Sequence, residues 1–193
     1  GDLQSLAVRS LSPWQGEDAD GGESFAPTLI VMRNSGWDVR RVQDIAQKGA
    51  ALIIPCGITV KPAAVLEVEA NTSLRDFSRS NARLLSSQVA PGGPRVFFIR
   101  DTLDRPAYDA VTFGTGNSRR NPELRFTVWM TALTRDPHIA LAHELVHVLL
   151  DDGAHSTSPH NLMRSDTSPD NLKLTPEQCT RMRDTARKNG LLH

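Results

Sequence analysis

His143, Glu144 and His147 stand in the pattern H-E-x-x-H, and His155 and His160 follow within the next turns of chain. Five of the six histidines fall between positions 138 and 160. Residues four apart on a helix share a face, so His143 and His147 can turn their rings toward one ion. Zinc accepts three protein ligands and keeps a fourth place for water, whose pKa falls to about 7. Glu144 lies about a hundred degrees round the helix, where a carboxylate can reach that water as general base without ligating the ion. The ion would polarise a carbonyl and stabilise the oxyanion formed on it. The expectation is a hydrolase with one catalytic Zn2+. The competing reading is a pair of core histidines satisfied by hydrogen bonds.

The surrounding residues say how the pattern is positioned. Asp136 is a good N-cap and Pro137 suits the first helical position. From Ile139 to Leu150 nearly every residue is apolar except His143, Glu144 and His147. A helix apolar on nearly all sides belongs in the interior. Burying two imidazoles and a carboxylate there is costly unless something compensates them, and a metal ion would. A third ligand requires a turn. Asp151-Asp152-Gly153 offers one, with Gly153 suited to the left-handed C′ conformation. His155 comes next and is the expected third ligand, with His160, Asp151 and Asp152 as competitors. His160 reads better as a polar loop residue lining the site. Glu177 lies in Leu174-Thr175-Pro176-Glu177-Gln178. That is a helix start with Thr175 as N-cap, Pro176 at N1 and Gln178 completing a capping box, which gives Glu177 a surface role.

The chain has 193 residues, enough for one domain with a real core. Its 22 basic and 22 acidic residues balance, so no basic excess points to nucleic acid. No apolar run approaches the roughly 18 residues of a membrane span. A monomer is expected. Residues 1–26 read as a polar N-terminal arm or linker, and 27–193 as a single domain. Strand-type runs occur at Thr28–Met32, Ile58–Val60, Val65–Val68, Arg95–Arg100, Ala110–Phe113 and Arg125–Met130. Helical spacing runs from Trp37 to Ala51, and Asp76 to Gln88 is a short helix or an irregular insertion. The fold class is therefore α/β (α+β): a mixed twisted sheet of about five strands with an active-site helix and a C-terminal helix. Cys56 and Cys179 permit one disulfide or two buried thiols.

Taken together, His143-Glu144-Leu145-Val146-His147 and His155-Ser156-Thr157-Ser158-Pro159-His160-Asn161-Leu162-Met163 resemble the zinc site and Met-turn of the metzincin metallopeptidases. The eight-residue step from His155 to Met163 is similar to that of the matrix metalloproteinases. The motif-level likeness covers about Asp136 to Leu191, and upstream only the order of elements is similar. Two departures stand out. Metzincins read H-E-x-x-H-x-x-G-x-x-H, whereas here Leu150 holds the glycine position and the third histidine comes two residues late. A two-residue insertion that moves the turn to Gly153 would reconcile them. Ser165 stands where some members carry a tyrosine ligand, so none is expected here.

The resemblance implies a zinc-dependent endopeptidase acting on a peptide or protein substrate. Its metal ligands would be His143, His147 and His155, its general base Glu144, and its hydrophobic floor Met163. It also implies that an extended substrate pairs with the edge strand Ala110, Val111, Thr112, Phe113 and Gly114, with His160 nearby. The zinc motif favours the Cys56–Cys179 disulfide and an exported protein, secreted or periplasmic. No charged segment followed by an apolar run opens the chain. Two alternatives accompany this reading. One is a narrow-target zinc hydrolase, such as a bacterial toxin or a cell-wall-peptide hydrolase. The other is a metal-stabilised binding domain whose catalysis is lost.

Overall fold

The structure is a computed structural model that describes residues 6–14, 22–103, 110–113 and 119–193. Its main sheet has six strands among the described residues, in the order β1-β5-β3-β6-β8-β7. These are β1 (Ala7–Ser12), β3 (Thr28–Met32), β5 (Ala64–Glu69), β6 (Arg95–Ile99), β7 (Ala110–Phe113) and β8 (Thr127–Thr131). The four inner strands β5, β3, β6 and β8 run parallel. The edge strands β1 and β7 are antiparallel to their neighbours. A second, two-stranded parallel sheet joins β2 (Glu23–Phe25) to β4 (Ile58–Val60).

Burial on both faces explains the apolar runs of β3, β6 and β8. Along β6, Val96 and Phe98 join one core cluster while Phe97 and Ile99 join the other. β3 does the same with Leu29 and Val31 against Ile30 and Met32. Such alternation is the two-residue period of a strand. The larger core lies under α1 (Val39–Ile53), α3 (Pro137–Leu150) and α4 (Pro176–Lys188). The smaller one lies under α2 (Arg79–Gln88) and includes Trp129, stacked on Phe97 at 4.0 Å between ring centroids. The architecture is a mixed sheet with flanking helices, of six strands where about five were expected.

A further difference from the sequence reading has a physical cause. Residues 7–12 and 23–25, read as polar arm, form β1 and β2. Polar side chains do not prevent edge pairing, because an edge strand needs only its backbone groups and one covered face. Residues 15–21 of that arm, and Gly114 at the end of the expected substrate strand, lie outside the described residues. At the other end, α4 begins with a complete capping box between Thr175 and Gln178.

α3 is held from both sides. Gly49 of α1 lies so close to it that a Cβ there would meet the His138 carbonyl at 3.0 Å. α4 covers its other flank and is tied to the end of α1 by the Cys56–Cys179 disulfide. Cys56 sits in the 3-10 turn Ile54–Cys56, and Arg183 of α4 donates to its carbonyl over 2.6 Å. The bond is consistent with an extracytoplasmic environment. No helix among the described residues is long and apolar enough to cross a membrane.

Candidate metal centre

His143 and His147 project from the middle and last turn of α3, and both are buried, at 3% and 6% exposure. The helix begins at Pro137, but Asp136 takes a left-handed conformation and gives no side-chain cap. It ends at Leu150. Asp151, not Gly153, adopts the left-handed turn, with φ 48°. Aspartate tolerates that region better than most residues with a Cβ. The turn therefore comes two residues before the expected glycine. Its backbone N–H groups return to α3: those of Asp151 and Asp152 reach the carbonyls of Val148 and His147 over 3.1 and 3.3 Å.

The early turn brings His155 back over the helix. The rings of His143, His147 and His155 form a triangle with centroids 4.6, 5.3 and 5.1 Å apart. One nitrogen from each lies within 4.8 Å of the others, a group able to hold a metal ion. Asp151, Asp152 and His160 are not members. Asp152 is occupied elsewhere: one carboxylate oxygen accepts from the Ala154 N–H over 2.8 Å, and the other faces Arg181 at 3.3 Å. His160 is exposed, left-handed at φ 61°, and donates from Nδ1 to the Asp170 carbonyl over 3.2 Å.

The hydrogen bonds of the buried pair fix its chemistry. His143 Nδ1 lies 2.8 Å from the Leu162 carbonyl, and His147 Nδ1 lies 2.7 Å from the Asp152 carbonyl. A carbonyl only accepts, so each Nδ1 carries the hydrogen, and each neutral ring leaves a lone pair on Nε2. Those Nε2 atoms are 3.0 Å apart. Two lone pairs at that distance repel unless a cation lies between or beside them. Protonation is an unfavourable answer, because burial pushes both imidazoles below their ordinary pKa. For His143 the Glu144 charge and the Leu162 carbonyl oppose that shift, and the neighbouring histidines add to it. For His147 the Asp152 carbonyl opposes it and His155 adds to it. The residues fit a metal ion with three imidazole nitrogens, those of His143 and His147 turned by a carbonyl behind each ring.

Leu162 and Met163 underlie the site, at 0% and 2% exposure, in the same core cluster as the apolar residues of α3. The Met163 carbonyl accepts from the Ser156 N–H over 2.8 Å, next to His155 in the chain. The carbonyls of Asp152 and Leu162 orient the ligands but carry no side-chain signal, and the sequence reading missed them. Ala110, Val111, Thr112 and Phe113 form β7 at the sheet edge beside β8. Glu177 lies exposed in the first turn of α4.

The expectation of a zinc endopeptidase is corrected here. The donor group that assembles is three histidines, with no carboxylate among its members. Glu144 is half-buried and lies outside that group, acting on His143 through its charge. Among the described residues the donor group brings no acidic residue with it, and on that finding the hydrolase and protease readings are withdrawn.

No family model matches the chain, and no curated protein matches it. Among solved structures it is similar to the crystal structure of metalloproteinase-II from Bacteroides fragilis. The TM-score is 0.61 at 19% sequence identity, over 90% of this chain and 56% of that one. The chain thus spans little more than half the length of that structure. A likeness at this identity concerns the fold alone, so the assignment to the metzincins is also corrected. The three donors stand at 143, 147 and 155, two residues off the spacing that H-E-x-x-H-x-x-G-x-x-H sets for the third histidine. The chain therefore has a mixed-sheet fold like that of a bacterial metalloproteinase and a three-histidine cluster able to hold one metal ion.

Proposed function

We propose that this is a metal-stabilised binding domain, in which His143, His147 and His155 hold one divalent ion, preferentially zinc, without catalysing a reaction. The observation that carries this reading is the 3.0 Å approach of two Nε2 atoms whose rings are each committed at Nδ1 to a carbonyl. Neutral imidazole suits zinc among the abundant divalent ions, and zinc imposes no directional demand of its own beyond four ligands. The ion would join the end of α3 to the 155–163 loop. Its fourth position would take water or a donor atom from a bound partner, which makes a binding role chemically available. The disulfide supports placing the domain outside the cytoplasm, secreted or periplasmic.

The test is metal analysis of the purified protein together with thermal unfolding before and after chelation. One zinc per chain is expected. An ion present at about a thousand times its dissociation constant stabilises by roughly 4 kcal/mol, so chelation should lower Tm by about 10 °C in a domain of this size. Stoichiometric zinc should restore it. Absence of metal, or an unchanged Tm, would overturn the reading. So would cleavage of a peptide library that disappears in Glu144→Ala.

A further inference from the structure

We propose that Asn161 and Gln178 are a positioning pair for the metal site, setting the affinity of three histidines that neither residue touches. This rests on the metal-binding reading above. The Asn161 Nδ2 donates to Gln178 Oε1 over 2.8 Å, and the Gln178 Nε2 donates to Asn161 Oδ1 over 3.0 Å. Each oxygen has a second donor that fixes the orientation of its amide. The Met163 N–H reaches Asn161 Oδ1 over 2.9 Å, and the Thr175 N–H reaches Gln178 Oε1 over 2.8 Å. Turning either amide over would set N–H against N–H and oxygen against oxygen, so one arrangement is selected.

What this closed square holds is the segment on which the ligands lean. Asn161 is 2% exposed, and its neighbour Leu162 presents the carbonyl to which His143 donates. Met163, bonded to Asn161 through its N–H, presents the carbonyl that takes the Ser156 N–H beside His155. Two of the three ligands are therefore referred to a four-residue stretch, 160–163. That stretch is pinned on one side by the Leu162 N–H to the Lys173 carbonyl and by the Lys173 N–H to the His160 carbonyl. On the other it is pinned by the amide pair. Gln178 itself is fixed twice: its N–H closes the capping box on Thr175 Oγ1, and the next residue, Cys179, is in the disulfide. Groups that orient metal-bound imidazoles are worth about 10–100-fold in metal affinity, and here that duty passes through a backbone carbonyl to the side chains that hold it.

The experiment compares Co2+ and Zn2+ affinity, by competition with a chromophoric chelator, in wild type, Gln178→Met, Asn161→Ala, the double variant and Thr175→Ala. Gln178→Met keeps the length and apolar stem of the side chain, so it tolerates folding where a truncation would not. Thr175→Ala removes the helix cap while leaving the amide pair. Gln178→Met and Asn161→Ala should each weaken metal binding by about tenfold or more, non-additively in the double variant, and shift the visible absorption of bound Co2+. Thr175→Ala should change affinity less than about twofold while lowering Tm. Unchanged affinity and spectrum in folded Gln178→Met would overturn the proposal, as would an equal loss in Thr175→Ala. If wild type binds neither ion, the metal reading itself has failed. If wild type binds and all variants bind equally, only the positioning role has failed.

Discussion

His147 Nε2 stands 3.0 Å from His143 Nε2, and neither ring has a hydrogen to offer across that gap. The fold brings the pair together by burying α3 and returning the chain through Asp151 to the Asp152 carbonyl. A site that is electrostatically unfavourable when empty binds a cation more readily than one that relaxes into self-sufficient hydrogen bonds.

Removal of His155 separates the ligand assignment from its nearest rival. His155→Ala should weaken Zn2+ binding by more than about a hundredfold, beyond the range of outer-sphere changes. His160→Ala should leave it within about twofold, since that ring serves the Asp170 carbonyl. Chelator competition measures both.

The metal-free protein should lose stability on mild acidification. Both buried imidazoles titrate below their ordinary value of 6.5 when folded. A depressed folded pKa means that the unfolded chain binds protons first as pH falls. Stability is therefore complete above 6.5 and declines as pH drops from there through the folded values. Urea unfolding of the metal-free protein across this range should show it. In His143→Phe/His147→Leu the decline should shrink. Metal affinity should fall over the same range, because ligand nitrogens must be free of protons.

Reduction of Cys56–Cys179 should be costly. The bond spans 123 residues, and closing a loop of that order contributes about 4–5 kcal/mol in the chain-entropy account. Urea unfolding of wild type against Cys56→Ser/Cys179→Ser should show a loss of this order, with the far-UV spectrum retained.

The contact between α1 and α3 gives a fourth test. A side chain at Gly49 meets the His138 carbonyl and, at 3.7 Å, the Ala142 nitrogen, both backbone atoms that cannot swing aside. Gly49→Leu should cost about 1–3 kcal/mol through overpacking and displace the helix that carries two ligands. Denaturant unfolding reads the first effect and Zn2+ affinity the second.

How much of this was legible beforehand depended on where the information resides. β3, β6, β8 and α4 announced themselves because side-chain type and period carry their structure: apolar runs buried on both faces, and Thr175-Pro176 with Gln178. β1 and β2 did not, since edge pairing uses backbone groups and Ala7–Ser12 has few strand formers. The turn after α3 was misplaced because glycine is the usual left-handed residue, whereas Asp151 takes that conformation and secures it through backbone bonds to α3. The three histidines were visible as spacing, but the carbonyls of Asp152 and Leu162 belong to residues whose identity says nothing of the role. Glu144 was visible too, and its assigned task was argued from its place on the helix beside two ligands, whereas the donor group that assembles is three histidines.

The Cys56–Cys179 bond also alters what a protease can achieve. All three histidines, the whole of α3 and the amide pair fall between the two cysteines. A single backbone cut there, for instance in the exposed stretch around Ser165 and Asp166, yields two pieces that remain one molecule until reduced. Beyond the ring the tails meet again, where Ser24 and His193 exchange hydrogen bonds of 3.0 and 2.9 Å. Nicked protein should therefore keep its mass on a non-reducing gel and separate into fragments only after thiol treatment, a form of damage tolerance suited to surroundings rich in peptidases.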